Sequence, residues 1–221
     1  MDKKHLLQCE NLSIGYHQKS LLENINWQFE IGKLYSIKGL NGAGKSTFLK
    51  TIAALVPPLK GKVLLDNQAL DSYHSQSLAQ RLAYLGSQQQ LNFPMSVQEF
   101  IMTGRYPYMN WLAKETEQDT LLVQSTIQAF AIGKLQNKSI QTLSDGEFQQ
   151  VRIAAAVVRE SSFIILDEPT SFLDYKNKEK LWNMLKALSR DNKCIIIASH
   201  DMDYVERMSD IIYEMNPEIN L

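Results

Sequence analysis

The stretch GLNGAGKS, residues 39–46, decides the fold, because it matches the phosphate-loop pattern G-x-x-x-x-G-K-[ST] at every position. A short strand is predicted over residues 33–38, immediately before this loop. A helix is predicted from Lys45 to about Leu55, ahead of Pro57 and Pro58, because proline cannot continue a helix. A loop of this kind between a strand and a helix predicts a site for nucleotide phosphates, and the full match disfavours an ordinary glycine-rich turn.

The residue types of this loop suit a phosphate chain. Glycines allow the backbone to curl until its N–H groups point inward, and the helix that follows adds its positive end. We expect Lys45 to bridge the β- and γ-phosphates and the Ser46 hydroxyl to bind Mg²⁺. The loop alone does not separate a kinase, a GTPase, a helicase and a transporter ATPase. The residues expected to bind the nucleotide here are Gly39, Asn41, Gly42, Ala43, Gly44, Lys45, Ser46 and Thr47.

A second element places two acids at the end of an apolar run. Residues 164–168 read IILDE, which is typical of a buried central strand that ends in carboxylates. Asp167 is predicted to bind Mg²⁺, directly or through its hydration shell, and Glu168 to act as general base toward water. The alternative is a strand that ends in solvated acids.

Composition narrows the class of protein. The chain has 221 residues, a formal net charge of −1 and 2 cysteines, Cys9 and Cys194, which favours one domain and buried thiols rather than a disulfide. A nucleic-acid binder usually has a basic excess, so no nucleic-acid partner is expected. No apolar segment approaches the roughly 20 residues of a membrane span, and the N-terminus resembles no signal peptide. We therefore expect a cytoplasmic chain that would serve a membrane only through a partner.

The order of predicted elements indicates an α/β fold with a helical insert. Strands and helices alternate at both ends of the chain, which predicts a mostly parallel sheet with helices on both faces. Three helices, starting at Ser96 and covering residues 115–130 and 144–158, follow one another without a strand. We predict a single domain with its core at residues 1–87 and 159–221, and a helical subdomain at residues 88–158.

The remaining motifs resemble the ATP-binding cassette (ABC) transporter superfamily. LSDGE, residues 143–147, resembles the signature LSGGQ, and LDEPTSFLD, residues 166–174, resembles the Walker B segment followed by the D-loop. His200 matches the switch histidine, and Tyr16 matches the aromatic residue that stacks on adenine. The matches run in family order from Tyr16 to His200.

This resemblance implies a fold, a mechanism and partners. The fold is that of a P-loop NTPase (RecA-like) core with an N-terminal antiparallel β region and an inserted α-helical subdomain. Two chains form a homodimer in the ATP-bound state, in which Ser144 and the N–H groups near Gly146 contact the γ-phosphate held by the partner chain. The cofactors implied are ATP and Mg²⁺. The further partners are integral membrane permease subunits and, indirectly, a substrate-binding protein, with the chain peripheral on the cytoplasmic face of the inner membrane.

The sequence departs from the family pattern at two places. Asp145 stands in place of a signature glycine and Glu147 in place of glutamine, so these acids must point away from the phosphate or be paired. Ser144 and Glu147 also form the pattern of a helix capping box. Aligned without a gap, the position of the Q-loop glutamine falls on Ser87, and with one inserted residue it falls on Gln88. We predict Gln88, as a catalytic residue and Mg²⁺ ligand.

The segment GRYPY, residues 104–108, resembles the G-R-x-P segment of importers for iron–siderophore chelates, haem and vitamin B12. In that group the segment lies where the permease docks. The predicted docking residues are Phe93, Met95, Arg105, Tyr106 and Tyr108, and the alternative is that they pack within the insert. Two other functions stay open: the ATPase of another transport system, and an ABC ATPase without a transport role.

Overall fold

The computed structural model describes residues 5–17, 19–86, 94–109 and 114–215. Its strands are, in chain order, β1 (Leu6–Tyr16), β2 (Lys19–Ile25), β3 (Gln28–Glu30), β4 (Leu34–Gly39), β5 (Lys60–Leu65), β6 (Gln68–Ala69), β7 (Leu82–Leu85), β8 (Phe163–Asp167), β9 (Cys194–Ala198) and β10 (Ile211–Met215). Its α-helices are α1 (Lys45–Ile52), α2 (Ser75–Arg81), α3 (Val97–Met102), α4 (Glu117–Ala129), α5 (Asp145–Val157), α6 (Tyr175–Arg190) and α7 (Met202–Met208).

The strands form two sheets. One has the order β10-β4-β9-β8-β7, and all its neighbouring strands are parallel. In the other, β1 pairs antiparallel with β2, β3 and β5, and β5 with β6. Every residue of β8 and β9 is buried, as their uninterrupted apolar runs require. The prediction of a parallel core with an N-terminal antiparallel region is therefore confirmed.

Apolar side chains on both faces of the parallel sheet hold the helices in place. Phe48 and Leu49 of α1 belong to the cluster that also contains β1, while Trp182 of α6 belongs to the cluster on β8 and β9 with Tyr204 of α7. The rings of Trp182 and Tyr204 stack with centroids 5.9 Å apart. This arrangement fixes α1, and the loop before it, against the carboxyl ends of the parallel strands.

The helices between β7 and β8 have an apolar cluster of their own. Val97, Ile101, Val123, Ile127 and Val151, from α3, α4 and α5, are all buried in it. Both α3 and α4 begin with capping-box geometry, from Ser96 and Glu99 and from Thr116 and Asp119. Within the described ranges, no helix combines the length and the apolar character that a membrane crossing requires.

Several predicted bounds were wrong. The alternation of apolar and polar residues over 25–29 indicates one strand, but these residues are divided between β2 and β3, because Ile25 pairs with Leu12 while Phe29 pairs with Leu7. Helix α1 ends at Ile52 rather than near residue 55, because Ala54 takes a left-handed backbone, φ 59°. The short elements α2, α7 and β10 were not predicted.

Candidate nucleotide-binding and hydrolysis site

The predicted phosphate loop joins β4 to α1 in the structure. Gly42 and Gly44 have φ of 81° and 94°, values that glycine adopts readily and other residues rarely do. Gly44 is the residue immediately before α1. A Cβ on Gly39 would lie 2.7 Å from the carbonyl oxygen of Met215 on the neighbouring strand, so this position has no room for a side chain. The N-terminus of α1 therefore opens into the loop, which is the arrangement that binds anions.

The Lys45 side chain folds back over the loop. It is buried, and its Nζ donates hydrogen bonds to the carbonyl oxygens of Gly39 at 2.8 Å and Leu40 at 3.1 Å. A cation held by carbonyls at this place can turn toward a phosphate without moving the backbone. Ser46 beside it is exposed.

Tyr16 lies next to the same loop. The Thr47 hydroxyl donates to the Tyr16 hydroxyl at 3.5 Å, and 46% of Tyr16 remains exposed. Strand β1 therefore brings an aromatic ring with an accessible surface to the N-terminal turn of α1. An aromatic ring in this position suits stacking on a nucleotide base.

The carboxylate at the end of β8 makes no hydrogen bond of normal geometry to the residues that the structure describes. Asp167 is 2% exposed, and neither carboxylate oxygen has a hydrogen-bond partner among the described residues. Burial raises the pKa of Tyr84 on neighbouring β7, and so does the charge of Asp167 beside it. A buried carboxylate without hydrogen bonds is unfavourable unless a cation balances it, so this acid fits a bound metal ion.

Magnesium fits this donor set better than a metal with a full protein cage. The described residues hold no group of three or more His, Cys, Asp or Glu side chains placed to bind a metal. Mg²⁺ characteristically takes one or two carboxylates together with substrate phosphates and water. One carboxylate, from Asp167, and one hydroxyl, from Ser46, match this set of ligands.

Glu168 contacts His200 across the ends of two strands. Its Oε1 lies 2.9 Å from His200 Nε2. Its backbone takes a left-handed φ of 51°, and its N–H donates to the Ala198 carbonyl at 2.9 Å. Burial raises the pKa of the Glu168 carboxyl, against the opposing charges of His200 and Lys45. A carboxylate with a raised pKa is a stronger base near neutral pH, which suits proton removal from water.

The signature-like segment forms the N-terminus of α5. The Ser144 hydroxyl accepts from the Glu147 N–H at 3.3 Å, and the Ser144 N–H donates to Glu147 Oε2 at 2.9 Å. These bonds from Ser144 lower the pKa of Glu147. The Glu147 charge is thus paired with the helix start, which is one of the two arrangements that the sequence required. The capping-box interpretation is confirmed, and it is compatible with an anion site at the same helix end.

Four residues singled out from the sequence meet different outcomes here. Gln88 and Phe93 lie outside the described residues. The prediction that Arg105 faces a partner was wrong: Arg105 is 4% exposed, and its Nε donates to Asp119 Oδ1 at 2.9 Å. A buried guanidinium needs such partners, so the alternative of packing within the insert holds for Arg105. Tyr106, by contrast, is 58% exposed.

Sequence reasoning also missed residues beside the acids. Tyr84 is one of them, since the parallel pairing of β7 with β8 places it in register with Ile165, two residues before Asp167. Gln149 and Arg152 of α5 are buried polar residues near the same turn. Little in the sequence indicates that Gln149 and Arg152 are buried, since polar residues in a helix usually face solvent.

Comparisons with known proteins agree with this geometry. The family model described as ABC transporter matches residues 22–171. The achromobactin transport ATP-binding protein CbrD of Dickeya dadantii is 34% identical over 205 residues, which cover 92% of this chain and 76% of that protein. The ferric enterobactin transport ATP-binding protein FepC of Escherichia coli is 33% identical over 198 residues, covering 89% of this chain and 73% of that protein.

Solved structures give the same result. A transporter described as of the metal-chelate ABC type, in an inward-facing conformation, is similar with a TM-score of 0.83 and 25% identity, over 97% of this chain and 80% of that one. The dimeric ABC cassette MJ0796 is similar with a TM-score of 0.83 and 25% identity, over 96% of this chain and 94% of that one. The chain therefore belongs to the ABC transporter family, as a subunit that binds and hydrolyses ATP.

Proposed function

We propose that the chain is the ATPase subunit of an importer for metal chelates of the iron–siderophore, haem or cobalamin type, with a separate permease. The observation that carries the substrate class is the similarity to the achromobactin and ferric enterobactin transport proteins over about nine-tenths of this chain. The GRYPY segment, with Tyr106 exposed, supports the same class. The chain would then lie on the cytoplasmic face of the inner membrane, held there by permease subunits and linked through them to a substrate-binding protein. No nucleic-acid partner is part of this proposal.

Each site residue has its own proposed role in ATP binding or hydrolysis. Tyr16 stacks on adenine, and the loop from Gly39 to Thr47 holds the phosphates. Ser46 and Asp167 would hold Mg²⁺, which would neutralise phosphate charge when bound, and Gln88 is the third proposed ligand. Glu168 takes the proton of the attacking water, and His200 donates to the γ-phosphate. The support for this division is that β4, β8 and β9 end side by side, so their terminal residues converge.

We place the complete ATP site between two copies of the chain. Ser144 and Gly146 then meet the γ-phosphate that the partner holds, with the capped start of α5 supplying N–H groups and positive partial charge. The likeness to the dimeric MJ0796 cassette supports this assembly. The separate apolar cluster of α3, α4 and α5 supports the proposed division into a core, residues 1–87 and 159–221, and a helical subdomain, residues 88–158.

A complementation experiment tests the substrate class. A strain that lacks this chain receives the wild type, the Glu168→Gln variant or the Glu206→Gln variant, whose exposed carboxylate on α7 serves as the matched control. We expect wild type and Glu206→Gln to restore uptake of a labelled ferric siderophore, haem or cobalamin, and Glu168→Gln to restore none. Unchanged uptake of all three chelates in the deletion strain would contradict the importer class and leave ATP hydrolysis untouched.

A further inference from the structure

Gln149 is a buried polar residue in the middle of α5 that contacts the turn after Glu168. It is 2% exposed, and its Nε2 donates a hydrogen bond of 2.9 Å to the Pro169 carbonyl oxygen. A buried amide is retained only where its hydrogen bonds are made. The contact joins the helix that starts at Ser144 to the segment that carries the proposed base.

The turn that receives this bond has a strained backbone. Glu168 and Phe172 take left-handed φ values of 51° and 67°, which are unfavourable for residues with a Cβ. Such conformations persist only where the surroundings hold them. The sheet holds one side, because the Glu168 N–H donates to Ala198 at 2.9 Å and the hydroxyls of Thr170 and Ser199 lie 3.3 Å apart. Gln149 holds the same turn from α5.

Arg152 fixes which way the Gln149 amide points. Its Nη1 donates to Gln149 Oε1 at 2.8 Å, and its Nη2 donates to the Gly86 carbonyl at 2.7 Å. Because a guanidinium only donates, the amide oxygen must face Arg152 and the amide nitrogen must face Pro169. Arg152 is itself buried. The pair therefore connects the end of β7 with the turn that follows β8.

We propose that Gln149, oriented by Arg152, is a positioning residue for Glu168. It holds the Pro169 carbonyl, and through it the left-handed backbone at Glu168, so that the carboxylate stays within reach of His200 and of the attacking water. Without this bond the turn relaxes and the carboxylate leaves its place more often, while the phosphate loop on β4 and α1 is unaffected. The inference rests on the proposed role of Glu168 and is independent of the transported substrate.

The test compares the same substitution at adjacent positions of α5. Gln149→Glu keeps the shape and an acceptor for Arg152 but removes the N–H that faces Pro169. Gln150→Glu is the matched control, because Gln150 makes no side-chain hydrogen bond within the part of the chain that the structure describes. Gln149→Met, which adds no charge, is the second variant. ATPase kinetics, binding of a fluorescent ATP analogue and melting temperature are measured on the purified full chain.

We expect both Gln149 variants to lose about tenfold in kcat, the size of one buried hydrogen bond expressed only in the reactive arrangement. Their KM for ATP and analogue binding should stay close to those of Gln150→Glu, while their melting temperature falls because the Pro169 carbonyl loses its buried donor. A kcat in both variants equal to the control would overturn the proposal. So would a fall in kcat matched by an equal loss of analogue binding below the melting temperature, because the role of Gln149 would then be structural for the whole site.

Glu168→Gln, measured alongside, distinguishes an error in the role of Gln149 from an error in the assignment of Glu168 as the base. If Glu168→Gln is inactive and Gln149→Glu is fully active, the role of Gln149 alone is wrong. If Glu168→Gln keeps full turnover, the assignment of the base is wrong, and the role of Gln149 falls with it.

Discussion

Replacing Arg105 by methionine should destabilise the helical region from inside. The Arg105 side chain is 5% exposed and so is that of its partner Asp119. Arg105 also donates to the Val158 carbonyl at 2.9 Å and to Glu160 at 3.1 Å. It thereby ties the start of α4 to the segment just after α5. Methionine fills similar space but leaves Asp119 and the Val158 carbonyl without this donor.

The expected loss in free energy of unfolding follows from the burial of Arg105 and Asp119. Removing one member of a buried ion pair typically costs about 3–5 kcal/mol, because the other charge stays buried. Asp119 keeps two hydrogen bonds from Thr116, at 3.1 and 2.7 Å, so we expect the lower end, about 3 kcal/mol. A domain of this size loses about 2–4 °C of melting temperature per kcal/mol. The variant should therefore melt about 6–12 °C below the wild type.

Thermal unfolding followed by circular dichroism measures this effect. Arg207→Met is the control, because Arg207 forms an exposed ion pair with Glu179, and exposed pairs contribute little. An Arg105→Met melting temperature within 2 °C of that control would refute the reasoning.

The same pair predicts a pH dependence. Burial raises the pKa of Asp119, but hydrogen bonds from Thr116 and Arg105 outweigh it and hold the pKa below its usual value. A lowered pKa gives stability that is present above the unfolded value, about 3.9, and is lost as pH falls through the folded value. The difference in free energy of unfolding between Arg105→Met and wild type should therefore shrink below about pH 4. Unfolding measured at a series of pH values would reveal this.

Three further variants test other parts of the site. Lys45→Ala should abolish ATP binding measured by equilibrium titration, because the loop loses its only described side-chain cation. Ser144→Ala should cost about 1 kcal/mol in denaturant unfolding through the lost cap and should weaken ATP-driven dimers in sedimentation. Tyr106→Ala should leave the ATPase of the isolated chain unchanged and reduce co-purification with the permease; equal recovery of permease would contradict docking at this residue.

Local sequence patterns predicted the parts of the site that depend on neighbours in the chain. The phosphate loop needs glycines, a lysine and a following helix within eight residues, so residues 39–46 identify it without tertiary information. The capping box of Ser144 and Glu147 before α5 is local in the same way. The run IILDE, residues 164–168, predicted both the buried strand β8 and the placement of two carboxylates at its end.

Contacts between distant residues were beyond such patterns. Arg105 is buried because Asp119 and Glu160 come to it from 14 and 55 residues away. Gln149 differs from Gln150 only in facing Pro169, 20 residues ahead. Helix α2 was missed because none of its residues is buried, so it has no apolar periodicity to detect.

The central claim is that Glu168 is the base of an ATPase whose site the chain provides. The most direct measurement is ATP turnover by purified Glu168→Gln beside Glu206→Gln, with ATP binding followed in the same samples. We predict a loss of about 10²–10⁴-fold in kcat for Glu168→Gln with binding retained, and normal turnover for the control. Because the pKa of Glu168 is raised, wild-type kcat should also fall as pH drops through that raised value. Turnover by Glu168→Gln equal to that of the wild type would contradict the account.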